Sequence, residues 1–184
     1  MTGRIQADSA TAACRADHRR AVTGIASLSE SDRAAVQGHL LRLSLQDRHL
    51  RFASTLSDEA LVALARTLPL SGSLGLFLDG ELVGMAHLQP VIPGEIEFGV
   101  SVESRARRCG WGRALLHASL QSCHAGGARQ LTAYYDSDNR PMARMMRSVQ
   151  GAACAAGRDV VAHVGLEQWA DELCASNRLI EPAV

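Results

Sequence analysis

The chain has 184 residues, of which 47% are hydrophobic, and its 19 basic and 19 acidic residues leave a formal net charge of zero, which suits one folded domain with a real core. The balanced charge gives no reason to expect nucleic acid or an anionic membrane surface as a partner, and without a long apolar run or a signal-peptide pattern we expect a cytoplasmic protein. The five cysteines are scattered without a CxxC pair, so we expect neither a disulfide framework nor a metal site.

The first third of the chain is predicted to be helical. Residues 1–20 show no sustained period and are expected to form an irregular lead-in or tail. Helix-start signals at residues 29–32 and 57–59 each precede apolar residues at helical spacing, and a shorter helical piece is expected around residues 47–52. The segment before Pro69 should therefore contribute helices to the fold.

The pattern then changes to that of β-strands, which are predicted at residues 74–78, 82–88 and 95–102. The first two flank Asp79-Gly80, a pair typical of a tight hairpin turn because both positions can adopt positive φ angles. A loop is expected at Pro90 and Pro93. The third strand alternates, which places Glu97 on the face opposite to the apolar side chains.

A βαβα pattern follows, with a helix at residues 110–125, a strand at 130–135, a helix after 136–139 and a strand at 159–164. We therefore predict one α/β domain over residues 21–166. We expect residues 167–184 to form a C-terminal tail, with a helical turn within residues 168–184 whose bounds the sequence does not define.

The segment between the Glu97 strand and the next helix is the most informative. Gly110 and Gly112 allow a ligand to approach the backbone, and the helix that begins there offers free N–H groups and a positive dipole end. Four arginines lie nearby, which suits a diphosphate: Arg105, Arg107, Arg108 and Arg113. The other reading is a tight strand-to-helix turn with solvated arginines. The glycine spacing of a Rossmann unit and the GK[ST] of a Walker loop are absent.

In this context the chain resembles the GNAT superfamily of N-acetyltransferases. The signature [QR]-x-x-G-x-[GA] falls on Arg107, Gly110 and Gly112, and Asn139 is similar to the asparagine that opens the penultimate helix of that fold. Segments 43–52 and 97–102 are similar to bacterial protein-lysine acetyltransferase domains. The resemblance implies a GNAT fold, in which helices flank a mixed central β-sheet with splayed parallel strands.

The resemblance further implies an N-acyltransferase that uses acetyl-CoA, without a metal, and acylates an amine of a protein lysine or a small molecule by direct attack. A homodimer is compatible with it. Main-chain groups near Val100 and Val102 would pair with the pantetheine, and an amide near Val100 would stabilise the oxyanion. The residues expected to bind the carrier are Val100, Ser101, Val102, Arg107, Arg108, Cys109, Gly110, Trp111, Gly112, Arg113 and Asn139.

Glu97 matches the strand glutamate that acts as a base in the lysine-acetylating relatives, although a glutamate paired with an arginine on the outer sheet face is the other reading. Many family members carry a proton-donating tyrosine seven residues after the asparagine, where this chain has Met146. Tyr134 and Tyr135 are substitutes, and solvent is another. Because Met146 removes the usual donor, a non-catalytic acyl-CoA-binding sensor is the alternative function.

Three polar residues of the first helices fall where this fold borders the acceptor: Asp47, Arg48 and Arg51. They are expected either to recognise a charged acceptor or to tie the helices to the sheet. His87 on the hairpin is a candidate second base, for which the other reading is a histidine with a structural hydrogen bond.

Overall fold

The computed structural model describes residues 24–178, so the predicted lead-in at residues 1–20 and the end of the predicted tail at 179–184 lie outside the described residues. The strands are β1 Gly24–Ser27, β2 Leu74–Leu78, β3 Glu81–Ile92, β4 Glu95–Val102, β5 Gln130–Asp136, β6 Ala152–Ala156 and β7 Asp159–Gly165. The α-helices are α1 Arg33–Leu41, α2 Leu45–Phe52, α3 Asp58–Thr67, α4 Trp111–Ala125, α5 Arg140–Arg147 and α6 Leu166–Arg178.

The strands form one mixed sheet in the order β1-β2-β3-β4-β5-β7-β6. All neighbouring strands are antiparallel except β4 and β5, which are parallel. The predicted hairpin is confirmed, since Asp79 and Gly80 have φ angles of 50° and 79° between β2 and β3. The predicted α/β fold with a mixed sheet flanked by helices is therefore present.

Strands β4 and β5 separate part-way along their length. Residues 95–97 of β4 pair with residues 130–132 of β5, yet β4 continues to Val102 and β5 to Asp136. Beyond Glu97 the two parallel strands form no further register pairs. The splayed strands expected from the sequence are confirmed.

The two faces of the sheet pack against different helices. On one face, Phe98 and Leu131 belong to a core that includes Leu115 of α4. On the other face, Met85 of β3 packs in a second core with Val36 of α1 and other side chains of the first helices. Because side chains alternate along a strand, β4 presents its even-numbered residues to the first core and its odd-numbered residues to α1–α3.

The sheet edges differ from the sequence prediction. Strand β1 has only four residues, and every residue of β6 is exposed, so neither carries an apolar alternation that would reveal it. Strand β3 runs through Pro90 to Ile92, where a loop was expected. Its register with β4 shifts between Pro90 and Ile92, which is the type of irregularity at which a sheet accommodates proline.

The C-terminal segment is also more ordered than predicted. Residues Leu166–Arg178 form α6, and Leu166 and Trp169 are buried in the core beside α4. The ring of Trp169 lies 6.2 Å from that of His117 on α4. The apolar side chains on one face of α6 are thus buried against α4. Residues 167–178 therefore form a helix where a tail was expected.

A buried polar network fastens α1 to the end of β4. His39 has no exposed surface and bonds through Nδ1 to Oε1 of Glu103 at 3.0 Å and through Nε2 to Oγ of Ser101 at 2.8 Å. Arg42 and Arg105 each donate to Glu103 at 2.9 Å. The network places Glu103 among three donors immediately after β4.

The protonation states in this network follow from burial and hydrogen bonding. Burial opposes ionisation of Glu103, but hydrogen bonds from His39, Arg105 and Arg42 outweigh it and lower its pKa to about 2. Burial lowers the pKa of His39 despite the opposing effect of Glu103. A neutral His39 therefore donates from Nδ1 to the Glu103 carboxylate and accepts the Ser101 hydroxyl at Nε2.

Both shifts predict that acid destabilises the fold. Each group has a lower pKa in the folded chain, so the unfolded chain binds more protons, and stability falls as pH drops below the ordinary pKa values of 6.5 for His39 and 4.5 for Glu103. Replacing His39 by Gln should cost about 1–3 kcal/mol of unfolding free energy. It should also reduce the pH dependence between about pH 7 and pH 5, to which His87 and His117, whose pKa values are lowered by burial as well, still contribute.

Urea unfolding at a series of pH values measures both effects. The exposed His124→Gln variant is the control, since His124 lies outside the network. The role of His39 would be contradicted if the free energy of unfolding changed by the same amount between about pH 7 and pH 5 in wild type and in His39→Gln.

Candidate active site

A cleft of about 520 Å³ opens where β4 and β5 part. Its wall combines the end of β4, the loop before α4, the start of α4, α5 and part of α2. Ten of the eleven residues predicted to bind the carrier line it: Val100, Ser101, Val102, Arg107, Arg108, Gly110, Trp111, Gly112, Arg113 and Asn139. Cys109, the eleventh, is exposed in the same loop but does not line the cleft.

The main chain of β4 presents free hydrogen-bonding groups to this cleft. The amide of Glu103 donates to the carbonyl of Val83 on β3 at 2.8 Å. Since these groups alternate in direction along a strand, the N–H and C=O groups of Val100 and Val102 point to the opposite edge, from which β5 has diverged. Of these groups, the carbonyl of Val102 accepts from Arg107. An extended ligand could therefore bond to β4 there in the manner of an added strand.

The start of α4 contributes unbonded amides to the same cleft. Gly110 is the N-cap residue with a φ of 82°, and no side chain caps the helix. The amide of Ala114 is the first to bond within the helix, to the carbonyl of Gly110 at 3.0 Å. The preceding amides of residues 111–113 have no intrahelical acceptor, and the helix dipole adds positive potential there. This geometry suits an anion such as a phosphate.

Gly112 lies at a close approach of α4 to α5. A Cβ atom on Gly112 would lie 3.1 Å from the sulfur of Met145. The missing side chain thus keeps the start of α4 against α5, beside the cleft that both helices line.

The arginines of the loop divide into two groups. Arg105, expected at the phosphate site, instead bonds Glu103 and Glu81. Arg107 spans the cleft mouth, with Nη2 2.5 Å from Oδ1 of Asp47 and Nε 2.8 Å from the carbonyl oxygen of Val102. These bonds fix their guanidinium groups within the protein.

Near the start of α4, three arginines remain available to an anion. Arg108, Arg113 and Arg144 line the cleft, and none forms an ion pair or side-chain hydrogen bond with residues 24–178. The sequence analysis missed Arg144. It lies one helical turn after Pro141 and one before Ser148, and this spacing on the helix opened by Asn139 could have revealed it.

Asn139 is placed by α5. Its side-chain oxygen accepts from the amide of Met142 at 3.2 Å as the N-cap of α5, and its Nδ2 donates to the carbonyl of Leu50 at 3.3 Å. Asn139 therefore holds α5 against α2 while lining the cleft.

Glu97, the predicted base, lies at the last paired position before the strands part, opposite Thr132 of β5. It is partly buried on the face of the sheet that carries α1–α3 and does not itself line the cleft. Its charge acts on Arg51, which does line the cleft. Glu97 is therefore within electrostatic range of a residue that lines the cleft, but it is not part of the cleft wall.

Arg48 and Arg51 have different roles. Arg48 donates to three main-chain carbonyl groups, of Leu43, Leu56 and Leu41, and pairs with Asp58 at 2.7 Å, so it ties the first helices together. Arg51 instead lies over Gly99, where an added Cβ would collide with its guanidinium group. Both acceptor recognition and a structural tie were open for both residues, and the structural hydrogen bonds and ion pair belong to Arg48.

The remaining candidates occupy separate places. Met146 is buried in the core, as expected for a helix stripe. Tyr135 packs against the same core, and burial raises its pKa, whereas Tyr134 is 54% exposed. His87 bonds the carbonyl of Pro69 at 3.2 Å, and burial, followed by the charge of Arg51, lowers its pKa. Residues 24–178 contain no cluster of side chains suited to a metal and no helix long and apolar enough to cross a membrane.

Comparisons with known proteins agree with this geometry. The GNAT domain of S. lividans PAT is 15% identical with a TM-score of 0.66, covering 77% of this chain and 89% of that one. Both yncA from Salmonella typhimurium, solved with acetyl-CoA, and the Escherichia coli ribosomal-protein-S18-alanine N-acetyltransferase are 19% identical over 77% of this chain and 92% of theirs, with TM-scores of 0.59 and 0.60. A search of curated protein sequences found no significant match. A sequence model of the acetyltransferase (GNAT) family matches residues 24–152, and the chain belongs to that family.

Proposed function

We propose that the protein transfers an acetyl group from acetyl-CoA to an amine by direct attack of the amine on the thioester. The observation that carries this proposal is the continuity of one cleft, which runs from the free main-chain edge of β4 to the unbonded amides at the start of α4. A carrier with a diphosphate at one end and amides along an extended arm matches both parts.

The binding mode follows from these groups. The diphosphate lies at the amides of residues 111–113, with Arg108, Arg113 and Arg144 adding charge at the rim. The pantetheine amides bond to Val100 and to the N–H of Val102, whose carbonyl already accepts from Arg107. The amide near Val100 is then the donor for the oxyanion that forms when the thioester carbonyl is attacked.

Glu97 is the proposed base for the acceptor amine. It lies at the point of strand divergence, where the thioester would end, and it can take the proton that the attacking amine loses. The departing thiolate needs a proton as well. Exposed Tyr134 follows Thr132 by two positions and so shares the face of Glu97, which makes Tyr134 or solvent the proposed donor.

A non-catalytic acyl-CoA sensor is the second candidate. It is favoured by the buried Met146, which occupies the position of the proton-donating tyrosine in many relatives and offers no ionisable group. This alternative requires the same binding cleft but no turnover.

Replacing Glu97 by Gln should lower kcat by roughly 10²- to 10⁴-fold, because the amide cannot accept the proton of the amine. Acetyl-CoA binding should stay within about twofold, since Glu97 lies outside the residues that line the cleft. The assay is CoA release from acetyl-CoA with pooled amines, combined with thermal shift by acetyl-CoA.

Glu95→Gln is the matched control, since Glu95 lies on the same face two residues earlier and accepts a hydrogen bond from Thr132. Wild-type protein that binds acetyl-CoA but turns over none of the amines would support the sensor. Equal kcat values for wild type and Glu97→Gln would remove Glu97 from the mechanism.

The diphosphate site predicts that a negative charge in its loop weakens binding. Cys109→Asp adds a carboxylate next to the start of α4, and Cys109→Asn is the uncharged reference of the same shape. The Asp variant should bind acetyl-CoA roughly tenfold or more weakly than the Asn variant, because like charges repel. Its fold should be no less stable, since acidic groups favour helix N-termini.

Isothermal titration with acetyl-CoA and thermal unfolding without ligand provide the two readouts. Equal affinities of the Asp and Asn variants would place the diphosphate away from this loop.

A further inference from the structure

We propose that the acceptor is a small amine that carries a carboxylate close to its amino group, with Arg51 as the residue that binds this carboxylate. The inference rests on the proposed function and assigns an acceptor class to it. It starts from the charge state and surroundings of Arg51.

Arg51 is a cation on which Glu97 acts electrostatically but with which no carboxylate of residues 24–178 forms an ion pair. Burial lowers its pKa to about 10, partly offset by the charge of Glu97, so it is protonated at neutral pH. Its guanidinium carbon lies 5.0 Å from the ring centre of Phe52. Within residues 24–178 it forms no ion pair, and no hydrogen bond to its side chain is present, although it lines the cleft. A partly buried guanidinium in this state favours a carboxylate, which it can bind with two parallel hydrogen bonds.

The position of Arg51 next to the proposed base sets the size of the acceptor. Its guanidinium lies over Gly99, two residues after Glu97 on the same face of β4. Residues two apart on a strand are separated by about 6.6 Å. An amine at Glu97 and a carboxylate at Arg51 would therefore belong to one compact zwitterion, such as an α-amino acid.

The neighbouring groups favour the same assignment. His87 pairs with Gly99 across β3 and β4, and burial together with the charge of Arg51 lowers its pKa, so His87 is neutral near pH 7 and supplies no anion to the guanidinium. A glycine at position 99 leaves the space that the guanidinium occupies. This face of β4 therefore brings one cation, Arg51, and one carboxylate, Glu97, to a short separation, while Asp47 is already paired with Arg107.

The charge of Arg51 also disfavours other acceptors. A polyamine or a lysine-rich peptide would bring additional cations next to an unpaired guanidinium, which costs binding energy. The carrier diphosphate is not the partner either. Gly99 precedes Val102 by three residues, about 10 Å along the strand, and the start of α4 lies next to Val102, since a Cβ atom on Gly112 would lie 4.0 Å from its Cγ2.

The first experiment compares matched acceptors. Wild type and Arg51→Met are assayed with four acceptors: the free α-amino acid for which wild type has the highest kcat/KM, the carboxamide of that amino acid, an Nα-blocked lysine and spermidine. Wild type should use the amino acid roughly 10- to 100-fold better than its carboxamide, by kcat/KM, because only the acid offers a carboxylate. In Arg51→Met that preference should disappear through a higher KM for the amino acid, while the KM for acetyl-CoA is unchanged.

Two further variants separate charge from structure. Gly99→Ala keeps Arg51 but displaces its guanidinium, so it should lose the same preference. Arg66→Met removes an exposed arginine at the end of α3 and should behave as wild type. The proposal would be overturned if wild type used the carboxamide, the blocked lysine or spermidine better than the free amino acids. It would also be overturned if kcat/KM fell by the same factor for the amino acid and for its carboxamide in Arg51→Met.

Direct binding distinguishes failure of this inference from failure of the proposed function. Isothermal titration of the free amino acids into the CoA complex needs no turnover. Binding that is lost in Arg51→Met supports the carboxylate site even if no amine is acetylated, in which case only the transferase proposal fails. Absence of any binding that depends on Arg51 overturns the carboxylate site even if the protein proves to be a transferase.

Discussion

The separation of β4 from β5 is the constraint on which the site depends. After Glu97 and Thr132 the two strands stop pairing, and the main-chain groups of Val100 and Val102 lose the neighbour that a continuous sheet would provide. Unpaired main-chain groups are costly when buried, so they must face water or a ligand. The cleft results from this loss of pairing, and the start of α4 adds its free amides at the same place.

The surrounding structure stabilises the separated strands. The network of His39, Ser101 and Glu103 fixes the end of β4 to α1, and Gly112 allows α4 to approach Met145 on α5. Arg107 connects the loop to Asp47 on α2 across the cleft mouth. A ligand that binds here meets groups already held by the fold, so little conformational entropy is lost on binding.

Local signals made much of the fold predictable, whereas long-range contacts did not. The Asp79-Gly80 turn and the alternation of β4 depend on neighbouring residues, and the structure confirms both. Strand β6 pairs with β7 and is exposed throughout, and α6 packs on α4, so both depend on contacts between segments that are distant in sequence. Within the site, the glycine loop could be predicted from the sequence, but the residues that pair with the charged side chains of this loop could not. Arg105 pairs with Glu103, while Arg51, from a distant helix, faces the cleft.

The most direct test of the account is an NMR titration of the backbone amides with CoA. Binding to the parted strands and the helix start should shift the amides of Val100, Val102 and residues 110–113 together and to saturation, with little change elsewhere in the sheet. Shifts confined to other regions, such as the shallow depression at residues 90–94, would contradict it, because the free amides of β4 and α4 would then have no part in binding.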